Sequence, residues 1–159
     1  MLDKTKKDWW KSAVAYQIYP KSFQDTTGSG VGDLQGIIKR LDYLQTLGID
    51  VIWLSPVCAS PQVDNGYDIS DYRAIDPMFG DLDDMRQLIQ EGKKRGIGIM
   101  MDLVLNHSSD QHRWFLQAKT SRDNPYHDYY VWRDGTPDKF PNDMQATFGG
   151  PAWEWVPEV

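Results

Sequence analysis

The sequence has little cysteine and no long hydrophobic run. A single cysteine, Cys58, excludes an internal disulfide and is typical of a reducing compartment, so we expect a cytoplasmic protein. No segment approaches the roughly 20 apolar residues that a membrane helix needs. The charged N-terminus is not followed by the apolar stretch of a secretory signal. We therefore expect no membrane partner.

Positive charge is also in short supply. The chain has 17 Lys and Arg against 23 Asp and Glu, a net charge of −6. Nucleic-acid backbones attract basic surfaces, so we expect no nucleic-acid partner. Aromatic residues, in contrast, make up 13% of the chain. Many of them lie beside Pro, Gly, Asp and Asn in polar loops, where an exposed ring can stack on a ring-shaped ligand.

Hydrophobic periodicity predicts strands and helices in alternation. Short, largely buried strands are expected at residues 14–19, 51–54 and 97–103. An apolar stripe with helical spacing predicts one helix over 34–47, and a second helix begins near Leu82. Asp33 is expected to cap the first helix and Gly48 to end it. The segment 55–80 is expected to be one long loop, and a short helix is expected near Trp114.

Repeated strand–loop–helix units predict parallel strands in an α/β fold. The loops that follow the strands are far longer than the helix-to-strand turns, which favours a (β/α)8 barrel. A doubly wound open sheet would give the same alternation, but no Gly-x-Gly-x-x-Gly follows a strand. A full barrel needs about 250 residues. Three units are therefore either the N-terminal part of a longer protein, which we favour, or a smaller fold.

Three motifs carry a resemblance to a known family. The segments 16–23, 65–72 and 102–107 resemble the α-amylase family of glycoside hydrolases, and most closely its oligo-1,6-glucosidase branch. Within that branch, the segments 21–30 and 148–153 are similar to enzymes that hydrolyse trehalose 6-phosphate. The resemblance extends over almost the whole chain from Trp9 onward.

The resemblance implies a domain organisation and a reaction. Residues 1–106 would form the N-terminal three strand–helix units of the (β/α)8 barrel. Residues 107–159 would begin the small domain inserted after the third strand, and the remaining barrel and a C-terminal domain would be absent. The family hydrolyses α-glucosidic bonds with retention, using a nucleophile and an acid/base carboxylate on strands four and five. No catalytic residue is therefore expected in this chain, and the isolated 159 residues are expected to be inactive.

The resemblance also implies residues that hold the first glucose. Asp64 would accept hydrogen bonds from sugar hydroxyls, Tyr67 would present its ring face, and Asp102 would lie at the end of the third strand. His107 would donate to a hydroxyl, and Phe148 would form a second wall. From the residues alone, simpler roles stay open, since Asp64 also suits a turn, Tyr67 also suits core packing, and Asp102 also suits a structural hydrogen bond.

The loop 25–33 resembles a calcium-binding loop of relatives in the same branch. Its oxygen-bearing positions are Asp25, Thr27, Ser29, the carbonyl of Val31, and Asp33. Hydroxyls carry less charge than carboxylates, and the bidentate glutamate that ends a strong site is replaced by glycine at position 36. We therefore expect weak or absent calcium binding, no required cofactor, and a loop closed mainly by its own hydrogen bonds.

The leading hypothesis is hydrolysis of trehalose 6-phosphate to glucose and glucose 6-phosphate, with a phosphorylated disaccharide as the partner. An oligo-1,6-glucosidase or α-glucosidase acting on isomaltose-type substrates is the main alternative. A non-catalytic truncated fragment is another. A cationic pocket for phosphate would separate the first two, but the sequence identifies no residue that forms one.

Overall fold

The computed structural model describes residues 3–159. The chain divides into two compact units, with the division between Ser109 and Asp110. The domain boundary predicted after residue 106 stays a prediction, because compactness does not define where an inserted domain begins. No helix among the described residues is long and apolar enough to cross a membrane.

Among the described residues, the first unit contains five strands and four α-helices, and helices separate the three strands of the main sheet along the chain. The strands are β1 (Ala15–Ile18), β2 (Val51–Leu54), β3 (Cys58–Ala59), β4 (Asp71–Ile75) and β5 (Gly98–Met101). The helices of this unit are α1 (Pro20–Phe23), α2 (Leu34–Lys39), α3 (Leu41–Leu47) and α4 (Leu82–Lys94), preceded by a 3-10 helix at Trp9–Ser12. The second unit holds α5 (Arg113–Ala118) and a 3-10 helix at His127–Tyr129.

The main sheet has three parallel strands in the order β1-β2-β5. Ala15 pairs with Val51, and Val51 pairs with Gly98, so the first residues of the three strands are aligned in register. Helices α2 and α3 connect the first pair and α4 precedes the third strand, as in consecutive βα units. This confirms the predicted fold class, the N-terminal part of a (β/α)8 barrel.

The predicted helix over 34–47 is wrong in one respect, because it is interrupted at Arg40. The backbone of Arg40 has φ −100° and ψ 1°, and its N–H bonds to the carbonyls of Ile37 and Ile38, which ends α2 before α3 begins. The apolar stripe still faces the core at Leu34, Ile37, Leu41 and Leu44, all fully buried. Leu47, at the end of α3, is exposed.

The caps of these helices are as predicted. The Asp33 carboxylate accepts from the Gly36 N–H at 2.7 Å, and Gly48 ends α3 with φ 85°. Helix α4 begins with a capping box in which Asp81 and Asp84 each accept from the other's backbone N–H.

The predicted continuous loop over 55–80 is also wrong, because it contains the antiparallel pair β3–β4. A bulge lies between Cys58 and Ala59, and only two residues of β3 are in the ladder. So short a strand leaves no periodic pattern for sequence analysis to detect. The pair matters for function because β4 and the residues that follow it support the loop described below.

Burial along the main sheet is uneven. Strand β2 lies between two partners and is the most buried, whereas only Ile18 is buried in β1. The third strand is shorter than the predicted 97–103, and Met100, Met101 and Leu103 are exposed. The expectation of largely buried strands therefore holds for β2 alone, because β1 and β5 are edge strands among the described residues.

A close backbone approach in α2 gives a test of this packing. A Cβ on Gly36 would lie 1.9 Å from the Gln24 carbonyl oxygen, a backbone atom that cannot move aside cheaply. We expect Gly36→Ala to lower the free energy of unfolding by about 3 kcal/mol, measured by urea titration of the full-length protein. Lys39→Ala, on the exposed side of the same helix, should change it by less than about 0.5 kcal/mol. Equal effects of the two substitutions would contradict this packing.

Candidate functional site

The candidate site lies in the loops that follow two neighbouring strands. The Asp64–Tyr67 region follows β2, and Asp102 follows β5 directly. The N–H of Asp102 bonds to the Leu54 carbonyl at 3.0 Å, which continues the β2–β5 pairing by one residue. Parallel strands end at the same edge of a sheet, so the fold brings these loops together at the edge where βα barrels bind ligands.

A tight turn presents Asp64 and Tyr67. The Tyr67 N–H bonds to the Asp64 carbonyl at 3.0 Å, and the two central residues, Asn65 and Gly66, have φ 52° and 96°. Asn-Gly is the pair best suited to such a turn, since both residues tolerate positive φ. Gly66 is buried, and a Cβ there would lie 3.2 Å from the Pro56 carbonyl oxygen. The turn is therefore packed onto the segment that leaves β2.

Tyr67 links the two loops through its hydroxyl. The Tyr67 hydroxyl donates to the Asp102 carboxylate at 3.0 Å. Desolvation, this hydrogen bond, and the charges of Asp102 and Asp64 raise the pKa of Tyr67 above its usual value. The phenol therefore stays protonated and continues to donate. The structure brings together three of the residues that the resemblance singled out.

His107 joins the same group through the backbone of Tyr67. Its Nε2 lies 3.0 Å from the Tyr67 carbonyl oxygen, and because a carbonyl only accepts, Nε2 carries the hydrogen. Its Nδ1 lies 3.3 Å from the side-chain amide of Asn106. Tyr67 is thus held at its hydroxyl and at its carbonyl. The predicted donation from His107 to a sugar hydroxyl stays a prediction.

The carboxylates beside Tyr67 keep accepting capacity. Among residues 3–159, the side chain of Asp64 takes part in no hydrogen bond, and Asp102 accepts only from Tyr67. Both carboxyl groups are partly buried, whereas His107 is exposed. An aromatic ring with two carboxylates near its hydroxyl suits a neutral polyhydroxylated ligand, whose hydroxyls donate to the oxygens while its apolar face covers the ring.

Sequence analysis missed Asp68, which holds the loop that carries the turn. Its carboxylate accepts from the Ser60 hydroxyl at 2.8 Å, the Val63 N–H at 2.8 Å and the Asp64 N–H at 3.1 Å. Burial opposes ionisation of Asp68, but these hydrogen bonds outweigh it and lower the pKa of the carboxyl below its usual value. The sequence Asp64-Asn65-Gly66 is typical of a turn, but no pattern in the sequence identified Asp68 as an acceptor for the backbone of this loop.

Tyr72 was also missed, and it supports the other loop. Its hydroxyl lies 2.9 Å from the Val104 carbonyl oxygen and 2.7 Å from that of His107, so it holds the backbone that carries His107. The Ser109 N–H bonds to the Ile69 carbonyl at 2.9 Å and ties the same two segments together. Tyr72 lies on β4, a strand that periodicity did not reveal.

Phe148 belongs to the second unit, where the residue is 81% exposed. Its role as a second wall for the sugar stays a prediction. Half of the aromatic residues noted in the sequence lie in this unit, where Trp114 stacks on Tyr126 and Phe115 on Trp132. These rings pack on one another, which accounts for them without a ligand.

The candidate calcium loop is closed by its own hydrogen bonds. Asp25 accepts from the N–H groups of Thr27, Gly28 and Gly30 at 2.7–2.9 Å, and the N–H groups of Thr27 and Gly30 lower the pKa of this carboxyl. Donors that converge on a carboxylate compete with a cation for the same oxygens. Among the described residues, no group of three or more acidic, His or Cys side chains is placed to hold a metal.

The remaining predicted ligands of the loop are engaged as well. One oxygen of Asp33 caps α2 and the other accepts from Thr26 at 2.8 Å, while the Ser29 hydroxyl donates to the Val31 carbonyl at 3.3 Å. The arrangement fits a strong calcium site poorly. Weak or absent calcium binding at this loop stays a prediction.

Comparisons with known proteins bear on this geometry. The family model described as "Alpha amylase, catalytic domain" matches residues 17–159. A trehalose-6-phosphate hydrolase of Escherichia coli K12 is 57% identical over 94% of this chain, and an oligo-1,6-glucosidase of Heyndrickxia coagulans is 60% identical over 93%. In both cases the chain spans 27% of the relative's length.

Solved structures also match nearly the whole of this chain. The trehalose-6-phosphate hydrolase of Bacillus licheniformis superposes with a TM-score of 0.91 at 54% identity, covering 96% of this chain and 28% of that one. The trehalulose synthase MutB, in a complex with isomaltulose, superposes with a TM-score of 0.92 at 55% identity, covering 96% of this chain and 27% of that one.

The lowered pKa of Asp68 predicts a pH-dependent contribution to stability. Because the folded-state pKa lies below the unfolded value of about 3.9, the contribution is complete above that value and is lost as the pH falls through the folded pKa. Asp68→Asn should therefore lower Tm at pH 7, and the difference from wild type should shrink below about pH 4. Thermal melts of the full-length protein from pH 7 to pH 3 measure this.

The matched control is Asp123→Asn, because the Asp123 carboxylate takes part in no hydrogen bond among the described residues. This variant should follow the wild-type Tm at every pH. A Tm difference for Asp68→Asn that stays constant down to pH 3 would contradict the role assigned to the ionised carboxylate.

Proposed function

The chain belongs to the alpha-amylase family, and from this premise we propose that the protein containing it is a retaining α-glucoside hydrolase. Its proposed substrate is trehalose 6-phosphate, which it cleaves to glucose and glucose 6-phosphate. The observation that carries the proposal is the fixed Tyr67 ring with the Asp64 and Asp102 carboxylates beside it.

The contacts of Tyr67 support binding of a glucose ring. Because Asp102 holds its hydroxyl and His107 its carbonyl, the ring is already ordered before a ligand arrives. Stacking on an ordered ring costs less conformational entropy than stacking on a mobile one. The carboxylates of Asp64 and Asp102 would then accept from sugar hydroxyls and fix the orientation of the ring in its plane.

Holding the glucose contributes to the rate in this class of reaction. One carboxylate attacks the anomeric carbon while a second protonates the leaving oxygen, and water then releases the sugar from the covalent intermediate. A correctly placed ring avoids the entropic cost of finding that geometry. We propose that both reacting carboxylates lie outside residues 1–159, that this piece alone is inactive, and that the two carboxylates suffice without a cofactor.

The choice of substrate rests on the segments 21–30 and 148–153, which are similar to the corresponding segments of trehalose-6-phosphate hydrolases. The second candidate is an oligo-1,6-glucosidase. It is favoured by the 60% identity to the Heyndrickxia coagulans enzyme, against 57% to the Escherichia coli trehalose-6-phosphate hydrolase. Trehalose-6-phosphate hydrolases and oligo-1,6-glucosidases match this region at similar identity, so an assay must decide between the two substrates.

The direct test is to assay the full-length protein on trehalose 6-phosphate and isomaltose side by side. We expect kcat/KM to be higher for trehalose 6-phosphate, with glucose and glucose 6-phosphate released in equal amounts. Unphosphorylated trehalose is the control for recognition of the phosphate and should be hydrolysed more slowly. Faster turnover of isomaltose would favour the second candidate, and hydrolysis of none of the three would reject the proposed function.

A second prediction concerns the link between Tyr67 and Asp102. Tyr67→Phe keeps the ring but removes a hydrogen bond to a charged group, so kcat/KM should fall about tenfold, equivalent to roughly 1.4 kcal/mol. Tyr43→Phe, at an exposed tyrosine on α3, should leave kcat/KM unchanged. Steady-state kinetics on the better substrate measure both, and wild-type kinetics for Tyr67→Phe would show that the link is dispensable.

A further inference from the structure

Asp76 is a buried carboxylate outside the group that faces the proposed ligand. It follows β4 directly, and only 7% of its surface is exposed. It accepts from the Ser60 N–H at 3.2 Å, the Gln62 side-chain amide at 3.1 Å and the Met78 N–H at 3.0 Å. Its own N–H bonds to the Val57 carbonyl at 2.8 Å. With its oxygens engaged and buried, Asp76 is not available to a ligand.

Gln62, one of the three donors to Asp76, has an unfavourable conformation. Its φ is 62°, in the left-handed region that residues other than glycine seldom occupy. Its side-chain oxygen is buried, and among the described residues it has no hydrogen-bond partner. Strain and an unpaired polar atom persist only where the surroundings enforce them, and they concentrate at functional loops. The hydrogen bond to Asp76 is the contact that holds this side chain.

Gln62 lies against the turn that presents Tyr67. Its amide nitrogen is 3.8 Å from the position that a Cβ of Gly66 would take, so the side chain packs close to the turn backbone. The hydroxyl of Ser60, two residues before Gln62, accepts from the Gln62 N–H and donates to the Asp68 carboxylate. A continuous set of contacts therefore connects Asp76, through Gln62 and Ser60, to the residues that carry Asp64 and Tyr67.

We propose that Asp76, acting through Gln62, is a positioning residue that sets the place of the Asp64–Tyr67 turn and thereby the affinity for the glucose ring. The inference rests on the proposed function and deepens it, since it identifies Asp76 as the residue that fixes the position of the Asp64–Tyr67 turn. A residue that acted only on folding would affect stability without changing affinity for the sugar.

The experiment uses the full-length protein and three variants. Asp76→Asn replaces a carboxylate oxygen, which accepts hydrogen bonds from Ser60 and Gln62, with an amide group that donates. Gln62→Gly removes the side chain that bonds to Asp76, and glycine adopts the positive φ without strain. Asp81→Asn is the control. It removes a carboxylate that accepts from two backbone N–H groups at the start of α4, and these hydrogen bonds do not involve the loop 60–68. Calorimetric titration with glucose, Tm, and the separate values of KM and kcat are measured for each.

We expect the Kd for glucose to rise about tenfold in Asp76→Asn and in Gln62→Gly, with KM rising alongside it. Gln62→Gly should keep a Tm close to that of wild type, so its loss of affinity cannot come from unfolding. Asp81→Asn should lower Tm and leave both Kd and KM unchanged. Should Asp76→Asn fail to fold, Gln62→Gly decides.

Glucose Kd values within twofold of wild type in Gln62→Gly would overturn the inference, as would an equal rise in Asp81→Asn. The glucose titration needs no turnover, so it separates this inference from the proposed function. If wild type binds glucose but hydrolyses no tested substrate, the proposed function fails while the positioning role is still decided. If wild type binds no glucose, the inference fails with it.

Discussion

The hydrogen bond from Tyr67 to Asp102 is the contact on which the candidate site depends. It joins the loop after β2 to the loop after β5, two segments that are 35 residues apart in the chain. A parallel sheet brings the ends of its strands to one edge but leaves the following loops to find their own places. This bond, together with the contact between His107 and the Tyr67 carbonyl, determines the relative positions of the two loops.

Each loop is then held from behind by a separate polar group. Asp68 collects three donors of the segment 60–64, and the hydroxyl of Tyr72 lies close to two carbonyls of the segment 104–107. Both supports come from the segment between Tyr67 and the end of β4. The segment that leads into and includes β4 therefore supports the candidate site, because Asp68 and Tyr72 hold the backbone of the two loops that the contacts of Tyr67 join.

Sequence reasoning succeeded where a local signal determines structure. Asp33 and Gly48 mark helix ends, the apolar run Val51–Leu54 is a central strand, and Asp64 precedes an Asn-Gly pair that forms the turn. It failed where structure depends on distant partners. Strand β3 has two residues and a bulge, and Asp68, Tyr72 and Asp76 act on backbone groups that no periodicity identifies.

The charge of the site constrains how a phosphorylated substrate would be oriented. Asp64 and Asp102 place negative charge beside Tyr67, and both act on the Tyr67 hydroxyl electrostatically. A phosphate brought to this position would be repelled by both groups, since like charges at short range in a partly buried site interact strongly. The phosphorylated ring of trehalose 6-phosphate would therefore lie away from Tyr67, and the neutral glucose would face it. Isomaltose would present the same neutral terminal glucose here. If Tyr67 faces the neutral glucose as we propose, one binding geometry would serve both candidate substrates. Trehalose-6-phosphate hydrolases and oligo-1,6-glucosidases match this region at similar identity, and discrimination between the two substrates would then come from contacts to the second ring.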